Sequence, residues 1–454
     1  MRRLSPGLAL VLLVLAAADP IPGRADDRGR SFRLENGLQV FLFEKRDLPL
    51  VNVVLAFDVG SKDETDGTNG LVHLLEHCIL FRGTGTRSGS EVSRDLRRHG
   101  AYFNAYTGQD LSIFELALPS RSAEFGLWNQ KDLLFGLALT QEELDDEKEV
   151  VLEEISQMED DPHRYAVELA LRNLFPGHPY GRSVYGRREV VSAAKASDLM
   201  AFHRKFFVPE NGALAVVGDF RNEDMERMVR DVFGPLPSPG LAREPVPQAL
   251  LLKKSVFLRE EKDVEGGTLV FAFPAPDYND PDQYAMNLLV EMMGRGVHPL
   301  LPAALQARRD LLQTLSMAYV ANRFGGAVII SMRLDPKNIA SARNETLNYL
   351  RGSSGESYSR SDHAGEAAYR AFDFLESAKN QVRFAVSRSE ESGLALAGSM
   401  ARFLLLNTRR DPGRYLDRIL GVRSSDVRRV AQKYFARGGS AAVAVIPKKR
   451  GAGT

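Results

Sequence analysis

His73-Leu74-Leu75-Glu76-His77 sets two imidazoles four residues apart with a carboxylate between them. On an α-helix that spacing puts both rings on one face, so both can reach a single divalent cation. Glu76, three residues after His73, falls at the edge of that face, where it can take a proton from water rather than ligate. The order is HxxEH, the reverse of HExxH. Leu74, Leu75, Ile79 and Leu80 supply the apolar contacts that would fix such a helix. Two histidines leave a zinc site incomplete, so a third ligand has to come from elsewhere in the chain.

The carboxylate-rich run EELDDEKEVVLEEISQMEDDP reads as a helix over 141–158. Most of its acidic side chains belong on a solvated face. Val150, Val151 and Ile155 are expected in its buried stripe, and Glu147 and Glu154, seven apart, share one helical edge. Spacing says no more than that about a metal ligand. His99, His163, His178, His203, His298 and His363 have no ligand-like spacing, and surface or structural roles are expected for them. Cys78, the one cysteine, permits no internal disulfide and reads as a small buried apolar side chain beside His77.

Other elements must position these groups. Residues 31–60 read as strands: FRLENGLQVFLFEK carries Asn36-Gly37 between alternating apolar residues, a hairpin signal, and LVNVVLAFDVG is a buried strand. Helical patterning starts near Gly70 and recurs over 91–99, 122–139 and 141–158. AYFNAYTGQDLSIFELALP, lying among these, reads as strand, turn and strand. The first part closes with SDLMAFHRKFF as helix and GALAVVGDF as strand. That pair returns. Ser197-Asp198-Leu199 before Lys205-Phe206-Phe207 matches Ser425-Asp426-Val427 before Lys433-Tyr434-Phe435, at an offset of 425 − 197 = 228. Self-similarity across half a chain points to duplication of a whole domain. A proline-rich stretch ending near residue 250 suits a linker, strands restart over 256–274, DPDQYAMNLLVEMMG reads as helix, and the Ser/Gly-rich 352–363 as loop.

The pattern resembles the pitrilysin-type inverzincin peptidases, the family of insulin-degrading enzyme and the mitochondrial processing peptidase. Their active halves carry HxxEH and a glutamate about 75 residues on; here Glu154 stands 154 − 77 = 77 after His77, inside EKEVVLEEI. Gly83-Thr84, Asn104-Ala105-Tyr106-Thr107, His178-Pro179-Tyr180-Gly181, residues 209–218 and residues 276–282 are similar to further family landmarks, so the resemblance spans nearly the whole mature chain. It implies one Zn2+ per chain on His73, His77 and Glu154, with Glu76 as the catalytic base and Glu147 orienting the site from behind. It implies that Asn104, Ala105, Tyr106 and Thr107 edge a sheet to which a peptide substrate adds as a strand. The implied fold is α+β: two homologous α/β-sandwich domains facing each other across a chamber, a zinc-bearing one at 30–240 and a metal-free one at 250–450. One landmark departs. Many relatives carry an arginine seven residues before a substrate-contacting tyrosine; Tyr319 matches the tyrosine, but Leu312 stands seven earlier, with Arg308 and Arg309 out of register. That departure implies dimerisation, as a homodimer or with a metal-free family member that supplies the missing group.

At 454 residues the chain exceeds what one core usually organises. Its 59 basic and 59 acidic side chains cancel, which argues against a nucleic-acid partner. Arg2 and Arg3 precede the apolar run GLALVLLVLAAA, the pattern of an export signal within 1–25 and too short for a stable membrane span of about 20 apolar residues. The mature protein is expected to be secreted, into a bacterial periplasm. Two other readings stay open: a non-catalytic family subunit acting in assembly or peptide binding, and a metal-dependent lyase resembling S-ribosylhomocysteinase. The first need not retain all four site residues; the second family is much shorter and has no duplicated half.

Overall fold

The computed structural model describes residues 28–296, 298–309, 311–352, 374–406 and 414–448. The expected export signal, and all but the first residue of the expected loop 352–363, lie outside them. The first sheet holds β1 (Gly29–Arg33), β2 (Gln39–Glu44), β3 (Leu50–Phe57), β4 (Tyr102–Thr107), β5 (Ser112–Pro119) and β6 (Gly212–Gly218), in the order β1-β2-β6-β3-β5-β4. The second holds β7 (Val256–Lys262), β8 (Gly267–Ala275), β9 (Thr314–Asn322), β10 (Gly325–Leu334) and β11 (Ala441–Pro447), in the order β7-β11-β8-β10-β9. Without β1 the two plans coincide. β6 runs parallel to β2 and antiparallel to β3, just as β11 runs parallel to β7 and antiparallel to β8.

Helices of the first half are α1 (Leu71–Phe81), α2 (Gly89–Arg98), α3 (Ala123–Phe135), α4 (Gln141–Asp160), α5 (Pro162–Leu174), α6 (Arg188–Ala193), α7 (Ala196–Phe206) and α8 (Asn222–Phe233). Those of the second are α9 (Gln283–Val290), α10 (Leu300–Arg309), α11 (Ile339–Gly352), α12 (Phe374–Glu391), α13 (Gly393–Leu406), α14 (Tyr415–Gly421) and α15 (Ser424–Ala431). The repeated helix–strand pair of the sequence is α7 with β6 and α15 with β11. Between Phe233 and Val256 no helix or strand forms. Among the described residues no helix is long and apolar enough to cross a membrane.

The hairpin signal forms as read: β1 pairs antiparallel with β2, and Gly37 between them takes a φ of 89°, which a side chain resists. Asn36 turns inward and donates from Nδ2 to the Phe233 carbonyl at 2.7 Å, tying the hairpin to the end of α8. β3 and β6 are apolar almost without interruption because both faces of the sheet are covered. On one face lie α1, α3, α4, α7 and α8. On the other, Val54, Ala56, Ala215 and Val217 meet Leu396, Ala397, Met400 and Ala401 of α13, a helix from the far half of the chain. The second sheet is covered reciprocally: Val270, Ala272, Val443 and Val445 meet Ala166, Val167, Ala170 and Leu174 of α5. The architecture is the expected pair of duplicated α+β domains, with one helix exchanged in each direction.

Two turns add a polar tie. Asp110, after β4, accepts from the Tyr180 hydroxyl at 2.6 Å and from the Arg323 backbone N–H at 2.7 Å. Arg323, in the β9–β10 turn, pairs with Asp58 at 2.7 Å, and Asn322 donates to Gln109.

The exchange predicts a single unfolding transition. Leu396→Ala, deleting a fully covered side chain of α13, should cost about 2–5 kcal/mol. The loss should appear together in far-ultraviolet circular dichroism and in fluorescence of Trp128, the one tryptophan, which lies in α3 beneath the other half's sheet.

Candidate metal centre

α1 is buried from Leu71 to Ile79, so its two histidines are held inside the fold. Its start needs a glycine: Gly70 has a φ of 117°, and a Cβ there would stand 2.7 Å from Val191 and 3.0 Å from Gly186. Glu64 reaches over this N-terminus, accepting from the Gly70 and Val72 amides at 3.0 and 2.9 Å, while its second oxygen accepts from Asn69 Nδ2 at 2.8 Å. Side-chain capping of this kind satisfies amides the helix itself leaves open.

α4 starts at a capping box of Thr140 and Glu143. Its buried stripe is Leu144, Glu147, Val151, Ile155 and Met158. Val150, expected in that stripe, is instead 42% exposed, because the stripe steps by three and four residues and Val150 falls beside it. The same register buries Glu147 and leaves Glu154 at the stripe's margin.

α1 packs on α4, and the ligand atoms meet there. His73 Nε2 and His77 Nε2 each lie 3.5 Å from Glu154 Oε2. Ligand atoms held 2.0–2.2 Å from a tetrahedral ion lie about 3.3–3.6 Å apart, so this spacing is too long for a good hydrogen bond and right for a shared ion. No other group of His, Cys, Asp or Glu among the described residues meets the same closeness. The rings cross at 89° with centroids 4.9 Å apart, and Tyr185 stands edge-on to His73 at 5.9 Å.

The electrostatics fit the same reading. Burial, aided by His77, pulls His73 down to about 4, although Glu154 and a Tyr185 backbone hydrogen bond oppose it. Burial also disfavours charge on His77, but Glu147 and Glu154 outweigh it and raise that ring to about 10. Burial lifts Glu154, yet the two histidines and then Arg164 bring it below the usual carboxylate range. Glu147 and Glu154 together thus favour a proton on His77. An ion bound at the ring's Nε2 would have to displace such a proton.

Glu147 sits behind the ligands. Its Oε2 lies 3.5 Å from His77 Nδ1, and its Oε1 is held by Arg82 at 2.7 Å. Glu76 is buried against β4: burial raises its pKa, while the hydroxyl and backbone of Thr107 and the charge of His77 lower it. Glu76 Oε2, Thr107 Oγ1 and the Nδ1 atoms of both histidines are buried without a well-formed hydrogen bond. Of these, Glu76 Oε2 stands beside the ligand cluster, with room for a partner from outside the protein.

β4 is an edge strand. Ala105 and Thr107 turn toward α1, and Asn104 turns to the other face, donating to the Tyr106 hydroxyl at 2.9 Å. Tyr319 is not brought to this site. It is 2% exposed in the core of the second half, its hydroxyl donating to the Pro276 carbonyl at 2.7 Å, and Leu312 is buried in the same core. The side chains of Arg308 and Arg309 lie outside the described residues. Cys78 is fully buried, as expected, and burial pushes its thiol well up. His178 caps the short turn at Pro179–Gly181, a structural role. Arg82 and Glu64 escaped the sequence reading: one stands just past the end of α1 and the other seven residues before its start, and neither spacing signals a partner.

With this geometry in view, two family models align to the chain in succession. "Insulinase (Peptidase family M16)" matches residues 40–188, and "Peptidase M16 inactive domain" matches residues 193–381. The chain belongs to the M16 peptidase family. A Rickettsia bellii protein named an uncharacterized zinc protease is 23% identical over 416 residues, 90% of this chain and 96% of that one. A probable mitochondrial-processing peptidase subunit beta from Arabidopsis thaliana is 24% identical over 88% of this chain and 75% of its own length. A Helicobacter pylori protease shares the fold with a TM-score of 0.83 at 22% identity, over 94% of this chain and all of that one. The first half of the periplasmic protease PqqL from Escherichia coli matches at 0.73 and 19% identity, over 95% and 94%. These two solved structures share the pair of duplicated domains.

Two outcomes follow. Glu147→Gln should weaken zinc binding about 10–100-fold, measured by competition with a chromogenic chelator, because His77 loses its carboxylate support. Glu64→Gln should change the pH dependence of stability in the chelated protein. Burial raises the Glu64 carboxyl from 4.5 to about 7, so its stabilisation is complete below 4.5 and is lost as pH rises through 7. Over that window the variant should gain on the parent by at most on the order of 3 kcal/mol, read from thermal midpoints.

Proposed function

We propose that this chain is a zinc-dependent endopeptidase holding one Zn2+ on His73, His77 and Glu154, with Glu76 as its base. The observation that carries this is the pair of 3.5 Å separations from Glu154 Oε2 to the two Nε2 atoms. Three protein ligands leave the fourth position of a tetrahedral ion open, as hydrolytic zinc sites require. Zinc bound there supplies a water that ionises near neutral pH and a Lewis acid for the scissile carbonyl.

The chain's own groups do the rest. Glu76 takes the water's proton and returns it to the leaving amine, and its burial, which raises its affinity for protons, suits both halves of that task. Thr107, on β4, lies beside its carboxyl and lowers its affinity for protons in part. Glu147, itself anchored by Arg82, keeps the His77 ring turned with Nε2 forward. The free edge of β4, at 104–107, offers main-chain groups to an extended peptide, which binds as an added strand with little demand on side chains.

The zinc-bearing half, 30–240, faces a metal-free half, 250–450, across the chamber where the peptide lies. Because Tyr319 is committed to the second core, contacts to the far side of the peptide come from a second subunit, either another copy or a metal-free family member. The protein works outside the cytoplasm, in a bacterial periplasm, after loss of residues 1–25.

Glu76→Gln should keep zinc at parental stoichiometry and lose turnover of an unstructured peptide by about 10²–10⁴-fold. Turnover near the parental rate would remove Glu76 from its role. A parent that binds zinc and peptide but cuts nothing would favour the non-catalytic subunit instead.

A further inference from the structure

Two segments enter the candidate site from one end of the first sheet. β3 runs through Asp58 into residues 60–64, and Glu64 then covers the start of α1. β4 ends at Thr107, beside Glu76, and turns through 108–111 into β5. The two segments are laced together. Ser61 N–H donates to the Gly108 carbonyl at 3.1 Å, Lys62 N–H to the Gln109 carbonyl at 3.0 Å, and Lys62 Nζ to the Asp110 carbonyl at 2.7 Å. A Cβ on Gly60 would stand 2.5 Å from the Gly108 and Gln109 carbonyl oxygens, so the contact leaves no slack. Arg323, from the β9–β10 turn of the second half, grips both segments. Its guanidinium pairs with Asp58 at 2.7 Å and reaches the Leu405 carbonyl in the last turn of α13. Its backbone N–H donates to the Asp110 carboxylate at 2.7 Å. Phe324 N–H donates to the Tyr180 hydroxyl at 3.1 Å, and that hydroxyl donates to Asp110 at 2.6 Å.

Cohesion is a poor account of this bracket. The halves are already joined by the apolar faces of α5 and α13, beside which one ion pair adds little. Directed hydrogen bonds to two carboxylates add geometry instead. Resting on the reading of Glu76 as base and β4 as substrate edge, we propose that Arg323 is a positioning residue for hydrolysis, holding β4 and α1 in register through Asp110 and Asp58. β4 carries the peptide, whereas α1 carries both imidazoles and Glu76. The offset between these elements sets where a scissile carbonyl lies against the base, and a shift on the order of 1 Å costs about 100-fold in rate. Peptide affinity comes from the main chain of β4, which moves with its ligand, so such a shift leaves KM almost untouched. Losing the Arg323 guanidinium strands no charge, because Asp58 keeps Lys62 at 3.0 Å and Arg243 at 3.2 Å. A variant lacking it is therefore expected to fold.

The test compares the zinc-loaded full chain with its Arg323→Gln, Arg323→Lys and Leu396→Ala variants on one unstructured peptide. Arg323→Gln should bind zinc as the parent does, lose kcat about 10–100-fold and keep KM within about threefold. Arg323→Lys, which returns a cation to Asp58, should recover most of that loss. Hydrogen exchange in Arg323→Gln should quicken over 60–72 and 102–111 and stay parental over 29–44. Leu396→Ala, loosened elsewhere between the halves, should keep kcat within about twofold at a temperature where it remains folded. Parental kcat in Arg323→Gln overturns the inference and leaves the peptidase reading standing. A loss confined to KM, or an equal loss in Leu396→Ala, also overturns it, since Arg323 would then hold peptide or merely hold the halves together. A parent that binds zinc and cuts no peptide sinks the peptidase reading, and this inference with it.

Discussion

To hold one ion, as proposed above, His73, His77 and Glu154 would have to keep three atoms from two helices within a few tenths of an ångström of a tetrahedron's edge, in an interface that is otherwise apolar. That demand shapes the first half of the molecule. Leu144, Val151 and Ile155 on α4, and Leu74, Leu75 and Cys78 on α1, clamp the crossing. Two of the polar features admitted to it are secured by protein groups, Glu147 by Arg82 and the start of α1 by Glu64, while Glu76 Oε2 and Thr107 Oγ1 stay open. A buried charge without such support would cost more than packing could return. Arg82 therefore matters as much to the site as the ligands, although it would never touch an ion.

The ligand pair was legible in the sequence because a four-residue step on a helix is a local fact. So was the duplication, since a repeated helix cap and strand survive as adjacent residues. Glu154 was a different matter. Spacing left it level with Glu147, and only likeness to a family told them apart; the fold shows why, with one carboxylate on the buried stripe and the other at its margin. Val150 was misplaced by the same coarse period. Arg82 acts on Glu147, far along the chain, and Glu64 through a turn that folds back over the start of α1, and neither leaves a pattern in the sequence. The exchange of α5 and α13 was equally hidden: an amphipathic stripe says that a helix must be covered, not by which sheet.

The second half repeats the plan of strands without the chemistry. Its histidines, His298 and His363, cannot reproduce the four-residue step. Tyr319, the residue likeness singled out there, is spent on its own core, with its hydroxyl on the Pro276 carbonyl. What this half contributes is shape. Its α13 covers the open face of the first sheet, and its β9–β10 turn reaches back through Arg323 to Asp58 and Asp110.

Duplication ordinarily frees one copy to drift, but the two crossed helices deny that freedom here. The side of α13 that bears Leu396 and Met400 must fit alanines and valines laid down in the other copy, and α5 is bound to the opposite obligation. The second half is thus kept in form by a surface belonging to its twin. Neither copy could be shed, swapped for a looser module or expressed by itself without laying bare one oily side of a sheet.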